Sequence, residues 1–130
     1  MTPNTTYLYK VRATGGGGQS GFSPVDSVTN LVFTDASLIG VFVKAQHITQ
    51  LRTVVSAMRA AAELPPVNFT DGMTAGVTIK AVHVTELRSA LNAARTAIGL
   101  SGMAYTDPTI TPGSTFIKAA HVLEVRAGTH

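Results

Sequence analysis

The chain has 130 residues, 45% hydrophobic and 13% charged, with a formal charge of +3 and a pI near 9.6, which is enough apolar content for one ordinary core and too much for a disordered tail. The absence of cysteine excludes disulfides, thiolate zinc sites and cysteine nucleophiles, and no run of Lys or Arg reads as a nucleic-acid arm. Met1-Thr2-Pro3-Asn4-Thr5 lacks the features of a secretory leader and no stretch nears the ~18 apolar residues of a bilayer span. The expectation is a chain with no nucleic-acid or membrane partner, cytoplasmic as written.

The first thirty residues differ from the rest. Tyr7, Tyr9, Val11 and Ala13 alternate with Leu8, Lys10 and Arg12, the period of two that marks a strand. Gly15 to Gly18 break the chain and Val25 to Phe33 offers a second extended run, so a β-hairpin is expected. The glycine run lacks the Lys-Ser/Thr of a phosphate loop, which leaves it no nucleotide role.

Pro3, Thr5, Tyr7, Val11 and Ala13, followed by Gly21, Ser23 and Pro24, resemble the last two strands of a fibronectin type III domain, with Tyr7 in the place of its corner tyrosine. The resemblance covers residues 1 to about 30. It implies that this hairpin is the remnant of a sandwich within a longer, multidomain bacterial protein, extracellular or on the cell surface. A two-stranded hairpin with open edges invites pairing with another chain.

From residue 33 onward one phrase recurs every 36 to 38 residues. Phe33-Thr34-Asp35, Phe69-Thr70-Asp71 and Tyr105-Thr106-Asp107 open three units, taken as 33–68, 69–104 and 105–130 after a hairpin of 1–32. Each passes through a glycine loop (Gly40, Gly76, Gly113) into a helical phrase. These phrases run Val43-Lys44-Ala45-Gln46-His47, Ile79-Lys80-Ala81-Val82-His83 and Ile117-Lys118-Ala119-Ala120-His121, each continuing to an arginine (Arg52, Arg88, Arg126). They resemble Lys-Ala-x-His-x-x-Glu-Leu-Arg helical repeats found beside fibronectin-type domains in large bacterial proteins, which implies context and no activity.

Ile48, Leu51, Val55, Met58 and Ala62 repeat at three and four, as do Val84, Leu87, Leu91, Ala94 and Ile98. Each set is the apolar stripe of a helix of about 19 residues, ~28 Å long. Pro65-Pro66 and Gly99 supply the stops, and the third helix is expected to be cut short. The ~16 residues between helices can span roughly 50 Å, enough to return the chain to the same end. The fold expected is mainly α, three parallel-type helical repeats with the last truncated, beside the hairpin. The open strands and the short third helix predict a homo-oligomer.

Lysine, histidine and glutamate at i−3, i and i+3 share one helical face. Parallel packing would stack Lys44, Lys80 and Lys118 above His47, His83 and His121, with Gln50, Glu86 and Glu124 below. Three imidazoles and a water form an open catalytic zinc site, and a neighbouring carboxylate, Glu86 or Glu124, would serve as the base. Zinc-bound water becomes a nucleophile near neutral pH. The lysines and helix N-termini would hold an anionic or phosphoryl small molecule. This is the outline of a zinc hydrolase for esters or phosphoesters.

A second account of the same histidines is that each packs beside its stripe and hydrogen-bonds to Asp35, Asp71 or Asp107. Arg52 with Arg59, and Arg88 with Arg95, lie on one helical side, either as a solvated face or as an anion stripe. The rival to a metal-dependent hydrolase is therefore a non-catalytic spacer or adhesion module, a fragment of a larger bacterial surface protein.

Overall fold

The computed structural model describes every residue from Met1 to His130. It is mainly helical with small antiparallel hairpins: β1 Thr6–Tyr9, β2 Thr14–Gly15, β3 Gly18–Gln19, β4 Asp26–Thr29, then α1 Ala45–Ala61, α2 Ala81–Ala97 and α3 Ala119–Ala127. No helix is long and apolar enough to cross a membrane.

The expected hairpin forms. β1 pairs with β4 so that Thr6 faces Thr29 and Tyr9 faces Asp26, and β2 with β3 close its tip. Between the two ladders the serines stand in for backbone acceptors. Ser23 and Ser20 donate their N–H to the Val11 and Ala13 carbonyls, and their hydroxyls accept the Val11 and Ala13 N–H groups. The face turned inward is the small polar one. Thr6, Ser27 and Thr29 are buried while Tyr9 and Val11 are exposed, and the Thr6 and Thr29 hydroxyls bond to each other at 2.7 Å. The partner explains it, because α1 offers Ala57, Ala60 and Ala61 around Thr6. An alanine surface accepts a close, small-residue sheet face.

The apolar stripes of α1 and α2 form the core as their spacing demands. Ile48, Leu51, Val55 and Met58 pack with Leu87, Leu91 and Ala94, and with Val122 and Val125 of α3. Two loop residues join them: Leu38 enters this core, and Ile110 packs on Ala81 and Val84.

Both ends of the helices are built from unexpected residues. The N-cap is Lys44, Lys80 or Lys118, in extended geometry and with no side-chain oxygen to offer. Histidine at N3 reaches back to the lysine N–H, the role usually given to glutamate or glutamine. At the other end α1 stops at Ala61, ahead of Pro65-Pro66. Glu63 takes a left-handed conformation with φ 56°, and Gly99 does the same after α2 at φ 87°. Leu64 and Leu100 N–H then bond back to the Arg59 and Arg95 carbonyls, which completes a Schellman-type stop.

Candidate functional site

The conspicuous polar residues gather at the helix starts, in three copies of one arrangement. In each, the Thr-Asp segment folds back over the first turn of the helix that follows it. Asp35 and Asp71 sit at φ 53° and 58°, a left-handed geometry that aspartate tolerates better than most side chains. At these two positions the bend turns the carboxylate toward the helix, and Asp107 reaches its histidine without a positive φ. Asp35 Oδ2 lies 3.0 Å from His47 Nε2, Asp71 Oδ2 3.0 Å from His83 Nε2 and Asp107 Oδ2 2.8 Å from His121 Nε2.

The other ring nitrogen is also engaged. The Nδ1 atoms of His47, His83 and His121 accept the N–H groups of Lys44, Lys80 and Lys118 at 3.1, 3.0 and 3.2 Å. An acceptor Nδ1 assigns the proton to Nε2, which donates to the aspartate. All three imidazoles are 0% exposed. Each aspartate also accepts its own lysine ammonium, at 3.1, 2.7 and 3.1 Å.

These contacts hold the carboxyls below the ordinary aspartate value. The His47 hydrogen bond leads at Asp35 and the Lys80 bond at Asp71, while at Asp107 it is His121, the lysine or histidine partner adding to each.

The third polar position secures the same loop. Gln50 Oε1 accepts the Thr34 N–H at 3.1 Å. Glu86 accepts the Thr70 N–H at 3.0 Å together with the Thr70 hydroxyl, and Glu124 accepts the Thr106 N–H at 2.8 Å. Burial pushes the Glu124 carboxyl up, but the Thr106 contacts and the Arg88 charge outweigh it and the net direction is down.

The arginines connect one unit to the next. Arg52 donates to the Asp71 and Thr70 carbonyls at 2.7 and 2.6 Å. Arg88 donates to the Asp107 carbonyl at 2.6 Å and to Glu124 at 3.2 Å. Arg126 returns to the beginning, donating to the Asp35 and Thr34 carbonyls at 2.9 and 3.1 Å. Each guanidinium lies over the aromatic ring that opens the receiving unit: Arg52 over Phe69, Arg88 over Tyr105 and Arg126 over Phe33, at 4.8, 4.1 and 4.6 Å. Planar cations on aromatic faces are favourable when partly desolvated.

The expected residues are thus found in contact, but in a different grouping. Each histidine meets the aspartate and lysine of its own unit, and no three His, Asp or Glu residues are placed to hold a metal ion. The structure does not bring His47, His83 and His121 to a common point. The helical spacing relates residues of one helix but carries no information on the loop in front of it, and that loop claims the imidazole. Glu86 and Glu124 direct their hydrogen bonds to threonine loops rather than to histidine.

The inter-unit role of Arg52, Arg88 and Arg126 was not read from the sequence. Its signal was an aromatic residue opening every unit and an arginine in every helical phrase. Arg59 and Arg95 are half-buried and tie down backbone carbonyls. Arg59 donates to the Pro65 carbonyl at 2.8 Å, and Arg95 to the Ser101 and Gly128 carbonyls at 2.8 and 2.7 Å. Compared with known protein families, with curated proteins and with solved structures, the chain matches none.

Proposed function

We propose that the chain is a non-catalytic helical-repeat module: three copies of one unit, helices running parallel, closed into a ring by the arginines and serving as a spacer or adhesion module of a larger bacterial surface protein. The observation that carries this reading is the saturation of the histidines. A metal ligand needs a free ring lone pair, and a general base needs access to substrate. Here Nδ1 is taken by a backbone N–H, Nε2 by an aspartate, and the ring is shut off from solvent. The polar residues kept in every unit are those that hold loop to helix and unit to unit.

The surface-protein context rests on the fibronectin-like strands. Consistent with it, the Tyr7 hydroxyl accepts the Thr2 N–H at 2.7 Å, a bond to backbone a few residues upstream of the kind a corner tyrosine makes.

Elemental analysis of protein prepared without a histidine tag tests the reading, together with thermal melting in the presence and absence of a chelator. The expected outcome is well under one zinc per chain and a melting curve that the chelator leaves in place. Stoichiometric zinc, or ester hydrolysis abolished by chelation and restored by zinc, would overturn it. That result would return the activity to the histidines, with Glu86 and Glu124 as bases.

A further inference from the structure

The three helix starts make equal polar contacts but leave unequal space beside them. A cleft of about 800 Å³ opens between the first turns of α1 and the 73–79 loop of the next unit. The corresponding groove beside α2, walled by Pro112, Gly113, Thr115 and Phe116, holds about 380 Å³. The larger cleft falls within the range of small-molecule sites. It is walled mainly by apolar groups, with Met73, Ala75, Val77 and Ile79 facing Val43 and Ala45.

Its charge is one-sided. Lys44 is the one charged residue of the lining, and the first turn of α1 contains no acidic side chain, so the only charge in the cleft wall itself is positive. Asp35 takes one hydrogen of the Lys44 ammonium on the side of His47, and an ammonium has three to give. The Lys44 side chain is 56% exposed, so its remaining hydrogens are open to solvent and to a bound acid group.

We infer that the cleft between α1 and the 73–79 loop binds a small apolar organic anion, its hydrocarbon body against Met73, Val77 and Ile79 and its acid group at Lys44. This goes beyond the spacer reading and does not depend on it, since a scaffold with or without zinc would keep the cleft.

Two fluorescent probes of similar shape separate the contributions: 8-anilinonaphthalene-1-sulfonate, which is anionic, and N-phenyl-1-naphthylamine, which is neutral. The native chain is expected to bind the sulfonate saturably, one per chain. Ala75→Trp fills one wall and should abolish binding of both dyes. Thr49→Trp fills the opposite wall and should do the same, which keeps the test decisive if either variant misfolds. Lys44→Met should weaken the sulfonate about fivefold, the worth of a half-exposed charge contact, and leave the neutral dye unchanged. Unsaturable binding, or binding that survives a tryptophan variant whose circular dichroism matches the native chain, assigns the dye to exposed Phe42 or Phe116 and overturns the proposal. Equal loss of both dyes on Lys44→Met overturns the anionic part.

Discussion

At the scale of single residues, the histidines behave as internal connectors. An imidazole with one acceptor and one donor nitrogen can join a backbone N–H to a carboxylate in a way that no aliphatic side chain can. Replacing His83 with Ala would orphan the Lys80 N–H and leave a cavity under Asp71. An unsatisfied buried donor together with lost packing costs about 2–4 kcal/mol, so His83→Ala should lower the unfolding free energy from chemical denaturation by that amount without changing any metal content. The same clusters set an acid limit. Asp35, Asp71 and Asp107 titrate lower in the fold than in the unfolded chain, where aspartate sits at about 3.9. Their contribution to stability is therefore complete above about pH 4 and is lost as pH falls through the folded values. Melting temperature followed from pH 6 to pH 2 should hold until about 4 and then fall, and Asp71→Asn should make that fall shallower. A curve with the same slope in the variant would show that the carboxylate does not sense its partners.

At the scale of elements, the informative comparison is between two equivalent helix ends. α1 and α2 stop with the same hydrogen bonds, but the left-handed position is Glu63 in one and Gly99 in the other. A non-glycine residue there costs roughly 1 kcal/mol of backbone strain. Glu63 is exposed, so removing its side chain loses little packing. Glu63→Gly is expected to stabilise the protein by about 0.5–1 kcal/mol, measurable by chemical denaturation. A loss of stability would mean that the Glu63 side chain makes a contact worth more than the strain. The helix starts lack acidic residues and carry lysine caps, an unfavourable arrangement for a dipole. The histidine-to-backbone bond and the folded-back aspartate compensate, which is why each helix needs its preceding loop to begin where it does.

At the scale of the molecule, the arginine contacts run from unit one to two, from two to three and from three back to one. The last of these joins residues far apart in the chain, Arg126 to Thr34 and Asp35, and its side chain is among the most buried charged groups. Removing one partner of a buried charge-assisted contact costs more than removing an exposed one. Arg126→Met should therefore destabilise by about 1–3 kcal/mol, no less than Arg52→Met, whose guanidinium is the more accessible. If Arg126→Met is the milder change, the ring is not closed in solution. The hairpin carries the second expectation at this scale. β1 and β4 form a two-stranded sheet with outer edges unpaired and with Tyr9, Val11 and Phe22 exposed, features that favour self-association. Light scattering at tens of micromolar should report a mass above one chain, and Val11→Lys should return it toward the monomer. A sharp monomer for the native chain would remove this expectation.

The sequence by itself located the helices, because an apolar stripe at three and four has no other economical solution. It also located the hairpin and singled out Thr-Asp, Lys, His and Arg, since their recurrence is visible without any structure. It could not say which of these residues would meet. Side chains on one helix keep fixed neighbours, so the spacing puts Lys44, His47 and Gln50 on one face. The position of Asp35 depends on a left-handed bend and on the path of an irregular loop, and no periodicity encodes either. The nearness of Arg126 to Phe33 depends on the helices closing on one another, which is settled by packing around Leu51, Leu87 and Val122. The tertiary structure therefore tied each histidine to its own loop. It did so because a buried imidazole takes the nearest donor and acceptor that satisfy both nitrogens, and the loop supplies them first.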